Sequence, residues 1–176
     1  AQVAYRRYFG GSTGNVAINL AQLGFKVSIV SNVGADALGS FIMNTLRQEG
    51  VDISAVTTDH EHRTSLVVVN KLRNRISFSP YRDADMYIKL TDDVWKLAEN
   101  AKILHFSTWP LSHSYTRDSM LELLRESKAM GKLLCFDPNY RRILWESGHD
   151  GVEFIKQIIS LADIVKPSTD DAWHLF

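Results

Sequence analysis

The sequence has a single cysteine, Cys135, in 176 residues. No internal disulfide can form, so a reducing compartment is expected, with the cytoplasm as the default address. Cys135 lies in the apolar run 132–136, the setting of a buried and inert thiol. Net charge is lacking as well. Twenty Lys and Arg are cancelled by twenty Asp and Glu, leaving no electrostatic footprint for nucleic acid or an anionic membrane surface. Apolar runs such as Leu66-Val67-Val68-Val69 fall far short of the roughly 20 residues of a membrane helix, and the opening residues form no signal-peptide h-region. No His, Cys and Asp spacing matches a structural zinc site. Ser112-His113 lacks a nucleophile-elbow context. His60 and His62 fall in a polar loop, and His105 is expected as a satisfied imidazole inside an apolar strand. The turn Gly11-Ser12-Thr13-Gly14 has neither the G-x-G-x-x-G spacing nor the G-K-[ST] ending, which argues against a dinucleotide-binding oxidoreductase or a Walker A loop.

What is present is an ordinary globular composition, 45% hydrophobic and 23% charged, organised around residues 10–39. Gly10 and Gly11 permit a tight turn or the close approach of a ligand. Asn15 follows at the mouth of a helix, where N–H groups are unpaired. Val16, Ala17, Leu20, Ala21 and Leu23 form an apolar stripe, ended by Gly24. A β-rich run over 26–33 leads into a second turn, Gly34-Ala35-Asp36-Ala37-Leu38-Gly39. On these residues alone, glycine turns can be either punctuation or a ligand cradle.

Elsewhere the pattern predicts a candidate strand over 1–9 with Tyr5, Arg7 and Phe9 on one face. It also predicts a helix over 36–50, strands from 51–56, and a hairpin of 64–70 with 75–81. From Thr91 the chain alternates regularly. Helices are expected from 91, over 114–130, over 150–161 and from 168, and strands over 102–106, 132–137 and 164–165. Such alternation implies parallel strands with right-handed crossovers, a doubly wound α/β sheet with helices on both faces. The hairpin does not fit the alternation and is placed as a separate small β-sheet lid. Residues 10–63 and 82–176 would then be the core, and 1–9 and 64–81 the lid. An isolated small sheet with an apolar face suggests a homodimer through that lid. Ligands in open α/β sheets sit beyond the carboxyl ends of the strands, which singles out 34–36, 107–109, 137–141 and 166–171.

Three of these segments, or their neighbours, carry chemistry. Asp137-Pro138-Asn139-Tyr140-Arg141 follows a strand that Pro138 terminates, leaving Asp137, Asn139 and Arg141 at the sheet edge. Arg offers a planar fork for carboxylate or phosphate. Tyr81-Arg82 ends the hairpin, and Lys166-Pro167-Ser168-Thr169-Asp170-Asp171 reads as a strand end followed by an N-capped helix. Each has a plain structural reading as turn, surface or cap beside the functional one.

Together, G-G-x-x-x-N-x-A, the glycine seven residues later and G-x-D-x-x-G closely resemble the N-terminal signature of the ribokinase-like (PfkB-type) sugar kinases. Thr13 stands where that family has a small Gly, Ala or Pro. The D-P-N-Y-R segment and Tyr81-Arg82 resemble motifs of the fructokinase and 2-keto-3-deoxygluconate kinase branches. The resemblance implies an ATP- and Mg²⁺-dependent phosphotransferase acting on a hydroxyl of a small sugar or sugar acid. It implies substrate contacts from Gly10, Gly11, Asn15, Tyr81, Arg82, Asp137 and Asn139, with Arg141 stabilising substrate and the transferring phosphoryl group. Ser168 and Asp171 occupy the N and E places of an N-x-x-E motif, which in the family organises Mg²⁺ and nucleotide phosphates, and Lys166 just before them is implied as a further nucleotide contact. Here the amide is replaced by Ser168 and the acid is Asp171, an indirect metal contact at most. The family's catalytic base lies in a later G-A-G-D motif that does not occur in these 176 residues. A sugar-binding fragment lacking the opening strand and the ATP half is therefore expected, inactive by itself. The alternative is a non-catalytic sugar-binding module or pseudokinase.

Overall fold

The computed structural model describes residues 4–72, 75–145 and 151–176. The strands form three ladders. Helix α1 (Ser12–Gln22) precedes strand β1 (Ser31–Gly34), and α2 (Ala37–Gln48) carries the chain back to β2 (Val56–Asp59), which pairs with β1 in parallel. The strand expected at 51–56 thus begins only at its last residue. Most of the β-rich run 26–33 is irregular too, with a single bridge from Ser28 to Asp52. Next comes an antiparallel hairpin, β3 (Leu66–Leu72) and β4 (Arg75–Tyr81), in the register Leu66 to Tyr81. Then α3 (Asp92–Asn100), β5 (Ile103–Ser107), α4 (Ser114–Ala129), β6 (Leu133–Asp137), α5 (Val152–Leu161), β7 (Ile164–Val165) and α6 (Thr169–Leu175) alternate. Strands β5, β6 and β7 form one parallel sheet in that order. Of the helix expected over 150–161, Asp150 lies outside the described residues. Residues 4–9 form no strand: Tyr5 and Tyr8 are largely exposed, and Arg7 lies over the Phe41 ring instead of joining a ladder.

The helix starts follow local chemistry. Thr91 caps α3 through Val94 N–H, and Asp36 caps α2 through Leu38 and Gly39 N–H. Ser168 and Asp171 close a reciprocal capping box on α6. Side-chain caps of this kind each contribute about 1 kcal/mol.

Two apolar clusters hold the layers. The larger gathers Phe106, Leu134 and Phe136 of the β5–β6 sheet with Leu123 and Leu124 of α4 and Ile155 and Ile158 of α5. Phe106 and Phe136 stack with centroids 4.9 Å apart. In the smaller, Ala17, Leu46 and Val51 are surrounded by Phe9, Ile18, Ala21, Ile29 and Ile42. This corrects the stripe read on α1. The buried face is Gly14, Ala17, Ile18 and Ala21, whereas Leu20 is 36% and Leu23 73% exposed. At about 100° per residue Leu23 falls half a turn away from that face. Gly14 belongs to it because Phe9 lies across the helix there, 3.0 Å from where a Cβ would be.

Candidate functional site

The loops that leave the carboxyl ends of the strands are fastened to one another in series. Beyond β4, Arg82 donates through Nη1 to Ser112 Oγ (2.6 Å), and its guanidinium lies 4.8 Å from the centre of the Trp109 ring. Both partners belong to the loop after β5. In that loop Thr108, fully buried, donates its hydroxyl to Pro138 O (2.7 Å) in the loop after β6. That loop in turn donates Tyr140 N–H to Asp171 Oδ1 (2.6 Å), beyond β7. Register sets Ser107 beside Asp137, so the segments 107–109, 137–141 and 166–171 meet along one sheet edge.

Asp137 is half-buried, and its carboxylate makes no hydrogen bond among the described residues. Asn139 has φ 41°, the only non-glycine residue with positive φ among those described. The turn it makes sends the chain from Pro138 toward Tyr140 and Arg141. Arg141 donates to Tyr140 O (2.5 Å) and stands 4.0 Å from Asp170 in a half-exposed pair. Lys166 and Ser168 are exposed, and Lys166 N–H closes on Phe136 O.

Asp171 is 1% exposed, and both its oxygens are occupied. Oδ1 takes Tyr140 N–H, and Oδ2 takes Ser168 N–H (2.8 Å) and Ser168 Oγ (2.7 Å). Burial alone would raise its carboxyl pKa, but the Ser168 and Tyr140 donors and the charge of Arg141 outweigh burial and lower it. A carboxylate closed on internal donors does not fit a direct Mg²⁺ ligand, and no cluster of three acidic, His or Cys side chains among the described residues could hold a metal ion.

At the N-terminal turn, Gly11 has φ 106°, a conformation open to glycine, and caps α1 without a side-chain bond. Gly10 and Asn15 are exposed. Asn15 lies one turn into α1 and its N–H already bonds Gly11 O (3.0 Å), so only its side chain is available. Among the described residues no hydrogen bond joins Gly10, Gly11 or Asn15 to the loops after β5 and β6. Tyr81 is 62% exposed at the end of β4.

Sequence reasoning missed two fasteners of the hairpin. Asp36 Oδ2 accepts Thr64 N–H and Oδ1 accepts the Thr64 hydroxyl, both at 2.8 Å, and Gly34 N–H donates back to Thr64 Oγ1 (2.9 Å). Gly34 and Gly39 are required by this closeness, since a Cβ on Gly39 would meet Gly34 O at 2.1 Å. Asp85 is the second fastener. It accepts from Ser65 Oγ at the start of the hairpin, from Arg82 Nε (2.8 Å) at its end and from Trp109 Nε1 (2.6 Å) in the core. The signal was there in Arg82-Asp83-Ala84-Asp85, a cation and an acid three residues apart.

A polar hollow of about 110 Å³ opens beside these fasteners, lined by residues 35–36 and 59–63. Asp59 lies on its wall, accepting Glu61 and His62 N–H, and these donors hold its carboxyl well below the usual range. His62 stacks on Tyr87 with centroids 3.7 Å apart. His105, expected to be satisfied, has a buried Nε2 with no hydrogen-bond partner among the described residues, and burial lowers its imidazole pKa.

Known proteins share this architecture. Fructokinase from Halothermothrix orenii superposes with a TM-score of 0.92 at 42% identity, covering 98% of this chain and 61% of that one. A Vibrio cholerae fructokinase solved with fructose, ADP and calcium ion gives 0.80 at 27% identity, over 94% of this chain and 54% of that one. The fold is thus ribokinase-like α/β. Among curated proteins, an ATP-dependent 6-phosphofructokinase of Thermoanaerobacterium thermosaccharolyticum is 44% identical over 172 residues, 98% of this chain and 53% of the relative. A fructokinase of Escherichia coli is 34% identical over 170 residues, 94% of this chain and 54% of the relative. The chain spans about half the length of the curated relatives it matches. Its residues 1–176 match the family described as pfkB family carbohydrate kinase, and the chain belongs to that family.

Proposed function

We propose that this chain is the sugar-binding portion of an ATP-dependent kinase that phosphorylates a hydroxyl of a fructose-like sugar in the cytoplasm. The observation that carries the proposal is the series of fastened loops from Arg82 through Ser112, Thr108 and Pro138 to Asp171. It holds the D-P-N-Y-R turn rigidly at the carboxyl edge of a parallel sheet, where α/β enzymes bind their ligands. In this reading Gly10, Gly11, Asn15, Tyr81, Asp137 and Asn139 bind sugar hydroxyls. Arg141, half-exposed and only loosely paired, supplies positive charge as the phosphoryl group moves. Lys166 and Ser168 face the nucleotide phosphates. ATP provides the phosphoryl group. Among the described residues Mg²⁺ finds no ligand set, and Asp171 serves by holding the Tyr140–Arg141 turn in place.

The hairpin is the proposed contact with a second copy. Two strands by themselves are marginal in water, and Leu66, Val67, Val69 and Tyr81 are each at least 40% exposed.

The test is ADP release by the complete gene product with ATP, Mg²⁺ and fructose, comparing wild type with Arg141→Ala. Sugar-dependent turnover that falls about 100-fold or more in the variant is expected, the scale of losing one charge-stabilising group. Fructose binding without turnover in the wild type would leave a sugar-binding module and refute the kinase. Elution as a monomer would refute the dimer alone.

A further inference from the structure

Arg82 has the place of a substrate-binding arginine, but its charge is already spent. The side chain is 9% exposed, with Nη2 and Nε at 2.7 and 2.8 Å from Asp85 Oδ2. Trp109 Nε1 donates to the same oxygen, and the indole face covers the guanidinium. Nη1 is taken by Ser112 Oγ. The other acid nearby, Asp83, is turned to Arg63 N–H (2.7 Å), so the pairing of cation and anion is one to one. Nη2 is buried and, although close to the carboxylate, forms no directional hydrogen bond.

We infer that Asp85 determines substrate specificity at this site: by cancelling Arg82 it sets the lid root to receive an uncharged ketohexose, not a sugar acid or sugar phosphate. The inference rests on the sugar-kinase reading above and narrows its acceptor. An anionic acceptor reaching Arg82 would have to break the contacts to Asp85 and would leave two carboxylates, or a carboxylate and a phosphate, around one guanidinium. Like charges in a half-buried setting repel strongly. A neutral sugar disturbs none of these contacts. It can stack or hydrogen-bond against an edge whose donors Asp85 has fixed in direction.

Asp85→Asn is the informative substitution. The amide oxygen can still accept from Arg82 and Trp109, and its nitrogen can donate to Ser65 Oγ, so shape is kept; what is lost is the negative charge and the long bond from Asp83 N–H to Oδ1 (3.2 Å). Titration calorimetry on the complete gene product would use fructose, 2-keto-3-deoxygluconate and fructose 6-phosphate, without nucleotide. The wild type is expected to bind fructose at least tenfold more tightly than either anion. The variant is expected to gain about tenfold or more for at least one anion, the worth of one charge-assisted contact. Adding Arg82→Gln should abolish that gain. A wild type that binds either anion as tightly as fructose overturns the inference whether or not the variant folds, while leaving a sugar kinase standing. A folded Asp85→Asn protein with no gain for either anion overturns it too. Failure to bind any of the three sugars would sink the sugar-kinase reading and this inference together.

Discussion

Replacing Asp36 by alanine removes four hydrogen bonds at the root of the hairpin, and the cost can be worked bond by bond. Two of them, to Leu38 and Gly39 N–H at 2.9 Å, cap α2, and their loss costs about 1 kcal/mol. The third is Thr64 N–H at 2.8 Å, on a residue 6% exposed, and stranding a buried N–H costs about 1–3 kcal/mol. The fourth, to the Thr64 hydroxyl, adds little because that hydroxyl can donate to Gly34 O instead, 3.4 Å away. The total is about 2–4 kcal/mol. Asparagine should recover little of it. With its oxygen toward the cap and the hydroxyl, its NH₂ faces Thr64 N–H, donor against donor; flipped, it loses the cap. The assay is urea unfolding of the complete gene product, with hydrogen exchange at the Thr64 amide as the local readout. Both variants should lower the midpoint and deprotect that amide. A loss below about 0.5 kcal/mol, the range of an indifferent surface change, or an Asp36→Asn protein as stable as wild type, would refute the reasoning.

Two further outcomes follow from the geometry. Gly151 caps α5 at φ 76°, and a Cβ there would lie 2.2 Å from the Trp145 indole, so Gly151→Ala should destabilise by at least about 2 kcal/mol in thermal unfolding; an unchanged midpoint would contradict this packing. Stability should also fall in two stages on acidification. His105, lowered from 6.5, binds fewer protons folded than unfolded, so stability is complete above pH 6.5 and declines as pH drops toward the lowered value. Asp36 and Asp171, lowered from 3.8, act in the same sense from about pH 4 downward. His105→Gln should remove the first stage and keep the second, and a wild-type urea midpoint flat between pH 7 and 5 would exclude the imidazole.

Elements with a strong local cause were legible from sequence. Thr91, Ser168 and the acids after them announced α3 and α6, and the apolar runs at 102–106 and 132–137 announced β5 and β6 within a residue. The hairpin was legible because two β-rich runs flank a polar tetrapeptide, though β3 begins at Leu66: Thr64 is withdrawn from the ladder by Asp36. Tertiary contacts decided the rest. Leu20 and Leu23 counted toward the apolar stripe of α1 until Phe9 chose the face that carries Gly14, a choice no periodicity could reveal. The same division runs through the candidate site. Motif spacing singled out Arg82, Arg141 and Asp171 as candidates, but their states depend on residues distant in sequence: Ser112 and Trp109 for Arg82, Tyr140 for Asp171. A carboxylate in a motif reads the same whether its lone pairs are free or filled. Only the fold shows that Asp171 spends them on Tyr140 and Ser168, and that Arg82 spends its charge on Asp85. Residue type and spacing can therefore place a charge at a site, but whether it is free to meet a ligand is decided by which other loops close on it.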